Sequence, residues 1–195
     1  MNKEIKKYID QLDYQIDDSR KEVLDVLANY IKSNDHAKLN FICTHNSRRS
    51  HLSQIWAQVM GNYHGISLST YSGGTEATAF HPNAVAALTR AGFNISNDGG
   101  ENPRYKVSYS DQEEPMICFS KTYDDSFNPQ SDFAAVMTCS DADEGCPFVP
   151  GAKARIKLLY EDPKVADGTP EEANKYDERC AQIAAEMQYI FSSIK

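Results

Sequence analysis

Cys43 and Arg49 stand six positions apart in Cys43-Thr44-His45-Asn46-Ser47-Arg48-Arg49-Ser50, between an apolar run and a segment with helical spacing. Residues of these types at this spacing suit anion chemistry. A short loop wrapped around a helix N-terminus aims several backbone N–H groups at one point, and the helix dipole adds positive potential there. The same field favours thiolate over thiol, so Cys43 is expected to have a depressed pKa and to act as a nucleophile. Arg49 offers a planar, bidentate clamp for two oxygens of a tetrahedral anion, which a lysine could not reproduce. Ser50 can donate a hydrogen bond to the Cys43 sulfur when it leaves, and the Asn46 side chain can tie the loop to itself. Thr44, His45, Asn46, Ser47 and Arg48 complete the expected oxyanion-binding loop. Taken alone, Cys43 would read as a small apolar residue ending a strand; the whole spaced motif argues against that.

Two further groups carry chemistry-bearing side chains. Cys139 and Cys146 lie seven apart and flank the polar segment Ser140 to Gly145. They are either unrelated thiols or a pair. A metal site is disfavoured, since CxxC spacing and a nearby His are absent. Glu161-Asp162-Pro163, by itself, is a surface turn stiffened by its proline. Cys118 and Cys180 have no such context, and His36, His51, His64 and His81 are read as serving a linker, loops and caps.

The elements that must position these residues follow from periodicity. Residues 3 to 34 show apolar residues at three- and four-residue spacings (Ile5, Tyr8, Ile9 and Leu12, then Leu24, Leu27, Ala28 and Ile31), which predicts helices, with Asp17, Asp18 or Ser19 as a cap. Leu39 to Cys43 (LNFIC) is fit for a buried strand, and Ser50 to Met60 continues as a helix. SLSTYSGG predicts a second strand. His81-Pro82 opens a helix that Gly92 stops. Ala134 to Thr138 reads as a third strand, Ile156 to Tyr160 as a fourth, and Thr169-Pro170-Glu171-Glu172 as a capping box opening a last helix to about Phe191. Alternation of this kind predicts an α/β fold, a parallel sheet covered by helices. Residues 97 to 130 break the rhythm, with VSYS and MICFS as candidate antiparallel strands of an inserted hairpin or lid.

Composition bounds the partners. The 195 residues are 41% hydrophobic and 25% charged, enough for a real core. A net charge of -8 repels phosphate backbones and acidic membranes, so no nucleic-acid or membrane partner is expected and any anion site must be local. No apolar run reaches the roughly 18 residues of a membrane span, and the N-terminus lacks a signal-peptide core, so a cytoplasmic location is the default. Five cysteines, an odd count, make a poor disulfide scaffold and read as reduced thiols.

From about Leu39 to the C-terminus the chain resembles the low-molecular-weight protein tyrosine phosphatase superfamily, and within it the thioredoxin-coupled arsenate reductases. The resemblance rests on CTHNSRRS, TYSGGTEATAFHPNAVAALTRAGFNIS, VMTCSDADEGCPFVPG and YEDPKVADGTPEE. It implies a four-stranded parallel sheet with helices on both faces, to which residues 1–36 add an N-terminal helical extension and residues of about 97–130 an insertion within a catalytic domain of residues 37–195. It implies that Asp162 is the general acid. It also implies a relay: Cys139 attacks the Cys43–arsenic adduct, and Cys146 resolves the Cys43–Cys139 disulfide by thiol exchange, with a thioredoxin-like reductant and no cofactor. Where the family usually has Gly third in the loop stands His45, whose side chain would crowd the anion or reshape the rim. Arsenate reduction is thus the leading expectation. The rivals are hydrolysis of phosphotyrosine through a cysteinyl-phosphate, and a noncatalytic phosphate-binding regulatory module.

Overall fold

A computed structural model describes residues 1–146 and 148–194. The central layer is a four-stranded parallel sheet of β1 (Ala37–Cys43), β2 (Leu68–Gly74), β6 (Phe133–Met137) and β7 (Ala152–Lys157), in the order β2-β1-β6-β7. β1 and β6 are buried along nearly their whole length, which is why they read as continuous apolar runs rather than alternating ones. Period two still sorts them up to the strand end: Leu39, Phe41, Ala134 and Val136 join one apolar cluster, Ile42, Phe133, Ala135 and Met137 join another, and Cys43, where β1 gives way to the loop, joins the second.

The larger cluster holds α3 (Arg49–His64), α4 (Pro82–Arg90) and α6 (Glu172–Ser193) against the sheet, and α1 (Lys3–Asp10) and α2 (Asp18–Lys32) add Ile5, Ile9, Leu24, Leu27 and Ile31 to it. Tyr8 stacks on the buried Trp56 ring at 5.5 Å. The smaller cluster lies under α5 (Ser140–Gly145). Several caps are those expected. Asp17 accepts from the Arg20 N–H at 2.8 Å to open α2, and His81 caps α4 with Pro82 in its first turn.

Several elements differ from the sequence reading. The fourth strand is Ala152–Lys157, not Ile156 to Tyr160, because only the central β6 partners it and its exposed flank carries polar residues. Pairing continues past it in single bonds, from the Leu158 N–H to the Met137 carbonyl and from the Tyr160 N–H to the Thr138 carbonyl. The capping box is shifted: Glu172 accepts from the Gly168 N–H at 2.6 Å, not from Thr169. Finally, the hairpin Tyr105–Ser108 (β4) with Met116–Cys118 (β5) is joined by β3 (Asn94–Asn97) into a three-stranded antiparallel sheet. No described helix is long and apolar enough to cross a membrane.

Candidate active site

The loop from Cys43 to Arg49 joins the C-terminal end of central strand β1 to the start of α3, where a parallel sheet places its ligands. Its carbonyls are turned outward and tied down. Cys43 O accepts from the Thr75 N–H, Thr44 O from the Glu76 N–H, His45 O from Ser120 Oγ, Ser47 O from the His81 N–H and Arg48 O from the Leu52 N–H, all at 2.8–3.1 Å. The N–H groups of His45 to Arg48 have no acceptor among the described residues, and no side chain caps α3. Unsatisfied donors converging on a helix N-terminus make a cradle for an oxyanion.

Asn46 holds this shape. Its φ of 44° lies in the left-handed region, which Asn tolerates better than most residues. Its Nδ2 donates to Ser50 Oγ and to His51 Nδ1, each at 2.9 Å, and its Oδ1 accepts from the Lys121 N–H at 3.0 Å. Burial, helped by the nearby Lys121 charge, pushes the His51 pKa well down, so His51 is neutral and its Nδ1 accepts. The network then has one sense. Ser50 accepts from Asn46 and keeps its own hydrogen for Cys43 Sγ, 3.1 Å away.

Gly74 at the end of β2 is required by close approach. A Cβ there would sit 2.6 Å from Thr44 O and 2.7 Å from Asn46 N. Gly74→Ala therefore should reshape the loop, weakening phosphate protection of Cys43 against alkylation by about tenfold or more while the protein stays folded. Unchanged protection would show that the loop does not depend on this contact.

Arg49 reaches the loop after β7. Its Nη2 donates to Asp162 Oδ2 at 2.8 Å and its Nη1 to the Tyr160 carbonyl at 3.0 Å. Asp162 also caps the 3₁₀ turn Pro163–Ala166, so proline and cap together fix its carboxyl over the clamp. An open cleft runs along this contact, lined by Thr44, His45, Arg49, Ser140, Asp141, residues 159–162, Lys164 and Val165. Arg48 points elsewhere, to Tyr176 Oη at 2.8 Å and to Asp167. His45 turns its ring outward towards Glu76, at 3.5 Å, and stands on the rim rather than in the cradle.

The two further cysteines come to the same place. Cys139 caps α5 and its Sγ lies 3.5 Å from Oγ1 of Thr44, the residue after Cys43. Cys43, Cys139 and Ala142 are members of one apolar cluster, and Cys146 packs against it. Cys146 ends α5, with its pKa raised by burial. Arg155 of β7 pins that end, donating to the carbonyls of Asp143 and Cys146 and pairing with the Asp143 carboxylate. Burial pushes the Asp143 pKa up, but Lys157 and Arg155 outweigh it and hold the carboxyl below its usual range, which leaves Asp143 unsuited to donate a proton. Cys118 and Cys180 are buried elsewhere, their thiols pushed up to about 12.

The sequence reading missed the insertion's part in the site. Ser120 binds His45 O and Lys121 binds Asn46, both from 75 residues away. Lys121 is almost wholly buried, between the Phe119 and Phe127 rings. Burial lowers its pKa to about 8. Because the unfolded chain then binds more protons between about pH 8 and the usual lysine value near 10.4, stability should rise with pH across that window. Lys121→Met should remove that rise in urea titrations and be the more stable protein at pH 7; an unchanged pH dependence would contradict the buried charge.

Comparison with known proteins agrees with this geometry. No protein-family model matches the chain. It is 31% identical over 132 residues to the arsenate reductase of Halalkalibacterium halodurans, covering 68% of this chain and 78% of that one. It is 32% identical over the same length to the arsenate reductase of Bacillus subtilis. Among solved structures it superposes on a low-molecular-weight phosphotyrosine phosphatase from Vibrio cholerae with a TM-score of 0.53, at 13% identity, over 80% of this chain and 95% of that one. It superposes on an arsenate reductase in the phosphate-binding state with a TM-score of 0.52, at 18% identity, over 82% and 99%. The fold is that of the low-molecular-weight protein tyrosine phosphatases. Within that superfamily, the chain belongs to the arsenate reductase family.

Proposed function

We propose that the protein reduces arsenate to arsenite. The observation that carries this reading is the convergence of Cys43, Cys139 and Cys146 on one apolar cluster behind an oxyanion loop, since hydrolysis of a phosphate ester needs only the first of them. The Cys43 thiolate attacks arsenic(V), and Asp162 protonates the oxygen that leaves as water. Arg49 and the free loop N–H groups stabilise the charge on the remaining oxygens. Cys139, as thiolate, then attacks Cys43 Sγ. The S–As bond breaks, its electron pair reduces arsenic to the trivalent state, and a Cys43–Cys139 disulfide forms. Cys146 attacks Cys139 Sγ, frees Cys43 and leaves a Cys139–Cys146 disulfide for a thioredoxin-class dithiol to reduce.

Supplied with arsenate and such a dithiol system, the protein should release one arsenite per disulfide reduced. Cys43 should alkylate fastest of the cysteines and be protected by arsenate or phosphate, because Cys118 and Cys180 are buried and hard to ionise. The alternative reading, phosphotyrosine hydrolysis, is favoured by the exposed apolar side chains Leu159 and Val165 on the cleft wall, which suit an aryl leaving group. Aryl phosphate hydrolysis without consumption of reductant would put it in place of the first.

A further inference from the structure

The N-terminal helices lie outside the resemblance, yet one of their side chains reaches the loop that carries Asp162. Arg20, in the first turn of α2, donates through Nε and Nη2 to the two oxygens of Glu186 on α6, at 3.0 and 2.7 Å. The Glu186 side chain is fully buried. The Arg20 guanidinium also covers the Tyr160 ring, 5.0 Å from its centroid. Tyr160 is 5% exposed, and its hydroxyl lies near Glu186 and Arg20 but makes no hydrogen bond of good geometry. Burial, followed by the Glu186 charge, keeps that hydroxyl protonated.

Tyr160 is the residue whose carbonyl holds Arg49, and Asp162, two residues on, holds the other end of the same guanidinium. Glu161 between them meets Arg179 of α6 at 3.4 Å, and Arg179 is linked through Gln182 to Glu186. Arg49 thus holds both Tyr160 and Asp162, Arg179 meets Glu161 between them, and the Tyr160 ring is covered by Arg20 from the N-terminal extension.

We propose that Arg20 is a positioning residue of the active site: fixed by Glu186, it clamps Tyr160 and so sets where the Tyr160 carbonyl and the Asp162 carboxyl meet Arg49. Its catalytic consequence rests on the reading of Asp162 as the acid, whereas the clamp itself does not. A ring fixed by a cation on one side and the core on the other has one position, and an acid carried two residues further along inherits that precision. Misplacement of such a group by an ångström or so is felt in turnover more than in ground-state binding.

Removing Arg20 alone would leave the Glu186 charge buried without a partner, so the test uses the neutral pair Arg20→Gln with Glu186→Gln, and separately Arg20→Lys, which keeps the cation. Hydrogen exchange read on peptides covering residues 158–167 should be about tenfold faster in the neutral pair, with β1 and β6 unchanged. The kcat for arsenate, or for an aryl phosphate should that be the substrate, should fall about tenfold with KM within twofold. Arg20→Lys should recover most of both. In an Asp162→Asn background the neutral pair should cost nothing further, because the group it positions is gone. Unchanged exchange at 158–167 would overturn the clamp whatever the reaction is, and faster exchange with unchanged kcat would overturn its catalytic role. If wild-type protein turns over neither substrate, the functional reading fails while the exchange measurement still decides the clamp.

Discussion

With arsenate and a thioredoxin-class system supplying electrons, Cys139→Ser and Cys146→Ser each stop sustained turnover, while aryl phosphate hydrolysis by the same variants survives. The expectation follows from the two fates of a Cys43 adduct: reduction needs two more thiols placed to follow it, and phosphate transfer needs only water. Mass mapping after one arsenate turnover should find a Cys43–Cys139 disulfide in Cys146→Ser and a Cys139–Cys146 disulfide in the wild type. For the second disulfide, residues at opposite ends of α5 must come within about 7 Å between Cα atoms, so α5 has to give up its present ends. The bonds that resist this are on view. Arg155 holds the carbonyls of Asp143 and Cys146, and Arg155 and Lys157 both pair with Asp143. Sustained arsenite production by either serine variant would sink the relay.

Asp162→Asn is expected to move binding and turnover in opposite directions. The carboxylate sits on Arg49 at 2.8 Å and lies 3.9 Å from Arg48, so an incoming oxyanion must displace it from the clamp and meet its repulsion. The amide variant removes both penalties, and phosphate should protect Cys43 at several-fold lower concentration. Turnover of a phosphate ester with a poor leaving group should nevertheless fall by about 10²–10⁴, since the departing oxygen has lost its proton donor. An activated aryl phosphate, whose leaving group needs no proton, should lose far less. Equal losses on both esters would show that Asp162 is not the acid. Asp141, which lines the cleft, would then be the carboxyl to try, since Asp143 is neutralised by its two cations.

Much of this site was legible in the sequence because its signals are local. The strand, loop and helix around Cys43 to Ser50 follow from an apolar run, a fixed Cys–Arg spacing and a helical period, and the alternation of such units fixes a parallel sheet. Cys139 and Cys146 were visible only as two thiols flanking a short polar segment; the structure brings both to the apolar cluster that holds Cys43. The rest lies in contacts between residues far apart in the chain. Ser120 and Lys121 hold His45 and Asn46 across 75 positions, Arg49 meets Asp162 across 113, and Arg20 binds Glu186 across 166. Periodicity reports which face of an element is buried, but not which other element covers that face. A lysine in a polar stretch such as 119–130 looks solvated until two aromatic rings close over it, and His51, read only as serving a loop or cap, gains its partners Asn46 and Ser72 through packing. Local sequence determined the strand, loop and helix around Cys43; packing determined which side chains orient the groups around it.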